Sequence, residues 1–143
     1  AAAELQYPVA LNNLGCCYQN GIGVVADPVR AVEHFRAAAE LKDPWALNRL
    51  GWCYQNGIGV AADPVKAVEH YRAAAELQYP VALNNLGCCY QNGIGVVADP
   101  VRAVEHFRAA AELKDPWALN RLGWCYQNGI GVAADPVKAV EHY

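Results

Sequence analysis

The sequence predicts an all-α solenoid, a stack of antiparallel helix hairpins on a 36-residue repeat. Three observations carry that expectation. The stretch Leu14-Gly15-Cys16-Cys17-Tyr18-Gln19-Asn20-Gly21-Ile22-Gly23-Val24 returns from Leu50, Leu86 and Leu122, 36 residues on each time. A period of that size marks stacked supersecondary units, each burying its face on its neighbours. Within every unit, two segments with apolar residues at helical spacing flank a Gly-x-Gly loop, and both segments open on proline.

The repetition has a second level. Residues 1–71 are identical to residues 73–143. Each 72-residue unit holds two repeats that differ at eight places: Gln6/Lys42, Tyr7/Asp43, Val9/Trp45, Asn13/Arg49, Cys16/Trp52, Val25/Ala61, Arg30/Lys66 and Phe35/Tyr71. Natural repeats drift apart, and this chain has no Met, Ser or Thr at all. A consensus or engineered array is therefore expected ahead of a recent duplication, and such an array need have no native ligand.

Taken in order, residues 1–7 read as the tail of a preceding helix. Pro8 opens helix A, expected over about 8–20, because proline suits the first helical position. Ala10, Leu11, Leu14, Gly15 and Tyr18 form its apolar face. Gly15 inside a helix costs roughly 1 kcal/mol against alanine, and close contact with helix B of the same repeat is the expected reason. Asn20-Gly21 ends the helix in a left-handed residue. In the loop, Ile22 or Val24 is expected to plug the gap between helices. Asp27-Pro28 caps helix B, about 28–41. Val29, Val32, Phe35 and Ala39 are expected on its inner face, flanked by Ala31 and Ala38. The wet face carries Arg30, Glu33, His34, Arg36 and Glu40. The same reading gives helix pairs at about 8–41, 44–77, 80–113 and 116–143. Short loops make neighbouring helices antiparallel.

Composition narrows the function classes. Net charge is −3, which argues against nucleic acid or an anionic membrane as partner. No transmembrane run or signal peptide is visible. The cysteines Cys16, Cys17, Cys53, Cys88, Cys89 and Cys125 follow the repeat rather than a disulfide framework. Equivalent positions on stacked helices are roughly 8–10 Å apart, beyond the about 7 Å between Cα atoms that a bridge allows. All six are expected to be thiols, compatible with cytoplasmic expression, although the compartment stays open.

Ala10, Leu14-Gly15, Tyr18, Gly21-x-Gly23-Val24, Asp27, Ala31, Phe35 and Ala38-Ala39 form a pattern that resembles the Sel1-like repeat, a longer-looped relative of the tetratricopeptide repeat. The Gly-x-Gly-Val loop followed by aspartate is the specific part, and the match covers essentially the whole chain. The resemblance implies a right-handed α/α superhelix and scaffold roles in protein complexes. One departure stands out: the family often has glycine at the end of helix B, where this chain has Gln6, Lys42, Gln78 and Lys114. Helix B is therefore expected to end in a different turn. The disulfide-rich bacterial branch is a poor match, because its paired cysteines flank the hairpin join.

In tetratricopeptide-like arrays helix A lines a concave groove. That alignment sends Val9, Asn12, Cys16, Gln19 and Asn20 into the groove, with Trp45, Asn48, Arg49, Trp52, Gln55 and Asn56 in the second repeat. Their counterparts are Val81, Asn84, Cys88 and Gln91, then Trp117, Asn120, Arg121, Trp124 and Gln127. Trp45 and Trp52 share a helix face two turns apart. They could anchor a guest peptide while the amides pair with its backbone. The competing reading has each Trp packed against the small residue of a neighbouring repeat. The asparagines at 12, 48, 84 and 120 are expected to form an exposed amide ladder, since a buried amide needs partners. Arg49 and Arg121 could clamp a carboxylate, although a solvated arginine is the plainer expectation. His34, His70, His106 and His142 lie on the presumed outer face, too far apart to share a metal ion.

Catalysis is not expected. There is no Ser or Thr nucleophile, and Cys16 and Cys17 are separated from His34 by a helix. The Gly-x-Gly loop lacks the lysine and the strand of a nucleotide site. No cofactor is expected. The expected partner is a protein or peptide in the groove. The rival is the chain itself, docking head to tail into filaments through open solenoid ends.

Overall fold

Aspartate and proline set where the helices begin. The computed structural model describes residues 2–131, which form seven helices: α1 (Ala2–Asn20), α2 (Pro28–Glu40), α3 (Pro44–Asn56), α4 (Pro64–Glu76), α5 (Pro80–Asn92), α6 (Pro100–Glu112) and α7 (Pro116–Asn128). No strand occurs among the described residues. The caps at Asp27, Asp43, Asp63, Asp99 and Asp115 accept from the backbone N–H three residues on, at 3.0–3.2 Å. Each satisfies one of the amides that a helix N-terminus leaves unpaired. Tyr79, before α5, makes no side-chain cap.

Helix A ends as expected. Gly57, Gly93 and Gly129 adopt left-handed backbone at φ 66°, 68° and 64°. The expected difference at the end of helix B does not appear. Lys42, Gln78 and Lys114 take the left-handed turn themselves, at φ 60°, 61° and 64°. After α2, the Lys42 amide donates to Ala39 and the Asp43 amide to Ala38, at 2.9 and 3.3 Å. This pair of bonds defines a Schellman turn, whose left-handed residue is ordinarily glycine. Asp43 thus closes one helix through its amide and opens the next through its carboxylate.

The chain divides into two compact units, Ala1–Ala74 and Ala75–Tyr143. In the first, α2 lies against both α1 and α3. Ala31, Val32, Phe35 and Ala38 are buried, at a spacing of one helical stripe. Leu50 and Cys53 of α3 complete that core. Val29, expected inside, is exposed, as are Val65 and Val101 at the same position. The stripe runs through Ala31 and Ala38 because small residues let the backbones approach. Gly15 shows how close that approach is: a Cβ there would lie 2.5 Å from the Phe35 ring, and one on Gly51 2.6 Å from the Tyr71 ring. The glycine is a socket for the aromatic of helix B.

Two expectations fail in the first repeat. Leu14, Ile22 and Val24 are exposed, whereas Leu50 is buried and Ile58 and Val60 pack on the core. The reason is the preceding helix B: α2 covers α3 and the loop that follows it, while no described helix covers α1 in the same way. α1 also runs unbroken through residues 5–7 with Pro8 inside it, where a turn is expected. The second unit repeats the arrangement in α5, α6 and α7. Ala103, Val104, Phe107 and Leu122 are buried at its centre, and Gly87 sits 2.4 Å in Cβ terms from Phe107. The last expected helix, with His142, lies outside the described residues.

Candidate functional site

The expected groove residues lie on α1, α3, α5 and α7, the first helix of each pair. No acidic residue occurs in α3, α5, α7 or residues 8–20 of α1. That absence, together with Arg49 in α3 and Arg121 in α7, makes those two helices cationic in an acidic chain.

The asparagine ladder is not free. Asn12 Nδ2 donates to Asp43 Oδ2 at 2.8 Å, and Asn84 donates to Asp115 at 2.7 Å. Asn84 is buried rather than exposed. Its amide ties one helix A to the cap of the next, so it serves the stacking. Asn48 is half-buried and Asn120 exposed. In sequence the position 31 residues after Asn48 is Tyr79, not aspartate, so the tie cannot be the same.

The arginines are not solvated either. Arg121 Nη2 donates to Gln91 Oε1 at 2.6 Å. Its guanidinium carbon lies 5.0 Å from the centre of the Trp124 ring and 5.9 Å from that of Trp117, distances typical of cation–π contact. Trp117 also meets Phe107 edge to face at 5.9 Å. In the first unit the same residues are arranged differently. Arg49 stacks on Trp52 at 4.0 Å, and the Gln19 oxygen is buried without a partner. In both units the arginine Nε–H is buried and unpaired. Trp45, Trp52 and Cys16 each pack on the first core. Trp117 and Trp124 stand 47% and 39% exposed.

Gln55 has another partner, the Tyr71 hydroxyl, which donates to it at 2.7 Å. Phe35 and Phe107 have no hydroxyl, which leaves Gln19 and Gln91 for arginine. The Phe35/Tyr71 and Asn13/Arg49 differences therefore belong together, and sequence reading had no signal for this beyond their shared alternation. Asn56 donates to the Trp52 carbonyl at 2.9 Å and so finishes its own helix. Asn20, Gln127, Val9 and Val81 are exposed.

Helix B carries an unexpected feature. His34, His70 and His106 are half-buried, stacked on Tyr18, Tyr54 and Tyr90 at 5.3 Å. Each ring Nδ1 also lies 2.8 Å from a carbonyl one turn back. The histidines therefore join helix B to helix A and do not face water freely. Beside Tyr90, an open hollow of about 340 Å³ is walled by Val96, Val97 and the Asp99–Arg102 ion pair. Its charged groups are already engaged with each other. Among the described residues no cluster could hold a metal ion, and no helix is long and apolar enough to cross a membrane.

All six cysteines are free thiols. Burial pushes Cys89 up to about 11, with the adjacent Cys88 adding to the shift. Burial also raises Cys53, Cys88 and Cys125, against the opposing charge of the nearby arginine. Such thiols hold their protons at neutral pH and are poor nucleophiles.

Residues 8–43, 46–79, 80–115 and 118–143 each match the Sel1 repeat. The chain belongs to the Sel1 repeat family. Sel1 repeat proteins are generally protein–protein interaction scaffolds. Among solved structures, this Sel1 chain is similar to a protective antigen of uropathogenic Escherichia coli with an SLR fold, at 37% identity and TM-score 0.91. It is also similar to a Sel1 repeat protein from Oxalobacter formigenes, at 34% and 0.88. These likenesses cover 99% and 97% of this chain but only 30% and 57% of the other two. Helicobacter pylori cysteine rich protein B is a third, at 27% identity and TM-score 0.67, with 80% and 88% covered. Comparison with curated protein sequences gives no match. The family and the all-α solenoid fold are thus as the sequence reading expects.

Proposed function

We propose that this Sel1 array is a non-catalytic scaffold whose helix A face binds an extended segment of a partner protein. One observation carries the reading: Trp117 and Trp124 stand partly exposed around an arginine that Gln91 holds in place. Large aromatic rings beside arginine are the usual energetic centres of protein interfaces. Trp117 is braced edge to face by Phe107, and a contact made before binding lowers the entropy lost on binding. The buried, protonated thiols support a non-catalytic role.

A peptide array probed with the full chain tests this. Trp117→Ala with Trp124→Ala should remove binding to the captured peptides while circular dichroism melting stays close to the parent. Retained binding in that variant would overturn the reading. Light scattering that rises with protein concentration, with no peptide present, would favour assembly of copies instead.

A further inference from the structure

Resting on that reading, we propose that the guest is acidic, and that within each unit the helix A arginine, Arg49 or Arg121, takes a carboxylate beside tryptophan.

The first argument is charge. The chain carries 14 acidic and 11 basic residues, yet residues 8–20, 44–56, 80–92 and 116–128 contain no acid, and their cations are Arg49 and Arg121. The nearest acids in sequence, Asp43 and Asp115, are occupied by a backbone amide and an asparagine. Among the described residues neither arginine has a carboxylate partner. An acidic guest meets complementary charge on α3 or α7, while the other segments carry a net negative charge.

The second argument is the arginine's unused valence. Arg121 gives one Nη2 bond to Gln91, and its Nε–H has no partner. A carboxylate accepts from Nε and a terminal nitrogen together, which neither an amide oxygen nor a hydroxyl can do. The arginine takes a different partner in each unit: Arg121 holds Gln91, whereas Arg49 lies 4.0 Å over Trp52 and leaves Gln19 unpaired. The local sequences are identical. In either arrangement a guest's acid competes with an amide oxygen or a ring for the guanidinium, not with a charge. The exposed edge of the tryptophans then covers the apolar side chain beside the guest's acid.

The test titrates the full chain with a random glutamate–tyrosine copolymer, with a lysine–tyrosine copolymer as control. Binding is read from tryptophan fluorescence excited where tyrosine does not absorb. The glutamate copolymer should bind and the lysine copolymer should not. Arg49→Gln with Arg121→Gln should weaken binding by about tenfold or more. Lysine at both positions should recover only part, because it cannot form the paired bonds. Equal binding of both copolymers, or undiminished binding by the glutamine variant, would overturn the proposal. A neutral array peptide that binds the parent, is lost in the tryptophan variants and is kept in the arginine variants would sink the carboxylate site alone. Binding indifferent to both sets of substitutions would sink the groove as well.

Discussion

Gln91 accepts a hydrogen bond from Arg121 at 2.6 Å, while Gln55, at the same repeat position, accepts from Tyr71 at 2.7 Å. One amide thus plays two parts. Where helix B offers tyrosine, the glutamine is satisfied inside its own repeat. Where helix B offers phenylalanine, the glutamine is left for the arginine of the next repeat, which Gln91 reaches and Gln19 does not. The alternation in the 72-residue unit is a division of labour between closing a hairpin and joining hairpins.

That relationship predicts the effect of exchanging the aromatics. Tyr71→Phe leaves the Gln55 oxygen without its donor and should cost about 1 kcal/mol. Phe35→Tyr gives the unpaired Gln19 oxygen a donor and should be neutral or stabilising by a similar amount. The urea midpoint of Tyr71→Phe should therefore fall while that of Phe35→Tyr holds or rises, and a comparable fall in both would contradict the assignment.

The loop glycines should separate sharply on substitution. Gly23 and Gly59 have nearly the same φ, 74° and 73°. A Cβ on Gly23 meets nothing within 4 Å, whereas one on Gly59 would lie 2.2 Å from the Pro28 carbonyl oxygen. Gly23→Ala should cost only the left-handed penalty, about 1–2 kcal/mol. Gly59→Ala adds a backbone clash of roughly 1–3 kcal/mol more. Thermal melts of the two variants check the difference.

Alkaline pH should weaken the fold through Cys89. Its folded value is about 11 against an ordinary 9.0, raised mainly by burial. Between those values the folded chain keeps a proton that the unfolded chain releases. Stability is therefore complete below about pH 9 and falls as pH rises toward about pH 11. In urea titrations across this range, Cys89→Ala should show a shallower decline than the parent. Parallel curves would assign the decline to other groups.

Much of this was legible in sequence. The repeat length, the helix pairs, the aspartate caps and the glycine sockets all follow from spacing and residue type. Lys42 and Lys114 were less legible, because a left-handed lysine is unfavourable locally and is held by the pair of backbone hydrogen bonds that closes each turn. The site was legible as a set of residues but not as a set of partnerships. Asn84 reads as a free amide until Asp115 is brought against it, and Arg121 reads as a solvated charge until Gln91 and two indoles surround it.

The clearest boundary between sequence and structure lies in identical segments. Residues 5–20 repeat residues 77–92 letter for letter, yet 77–79 form a turn with Gln78 at φ 61° and residues 5–7 are helical. Arg49 and Arg121 likewise have the same neighbours in sequence and different partners in space. Sequence by itself determined the unit: two helices, their caps, and the stripe each must bury, because these depend on interactions a few residues long. Tertiary structure decided which turn forms, which leucine is covered and which partner an arginine takes. Those outcomes differ by only a kilocalorie or so locally, and contacts from another helix are enough to tip them.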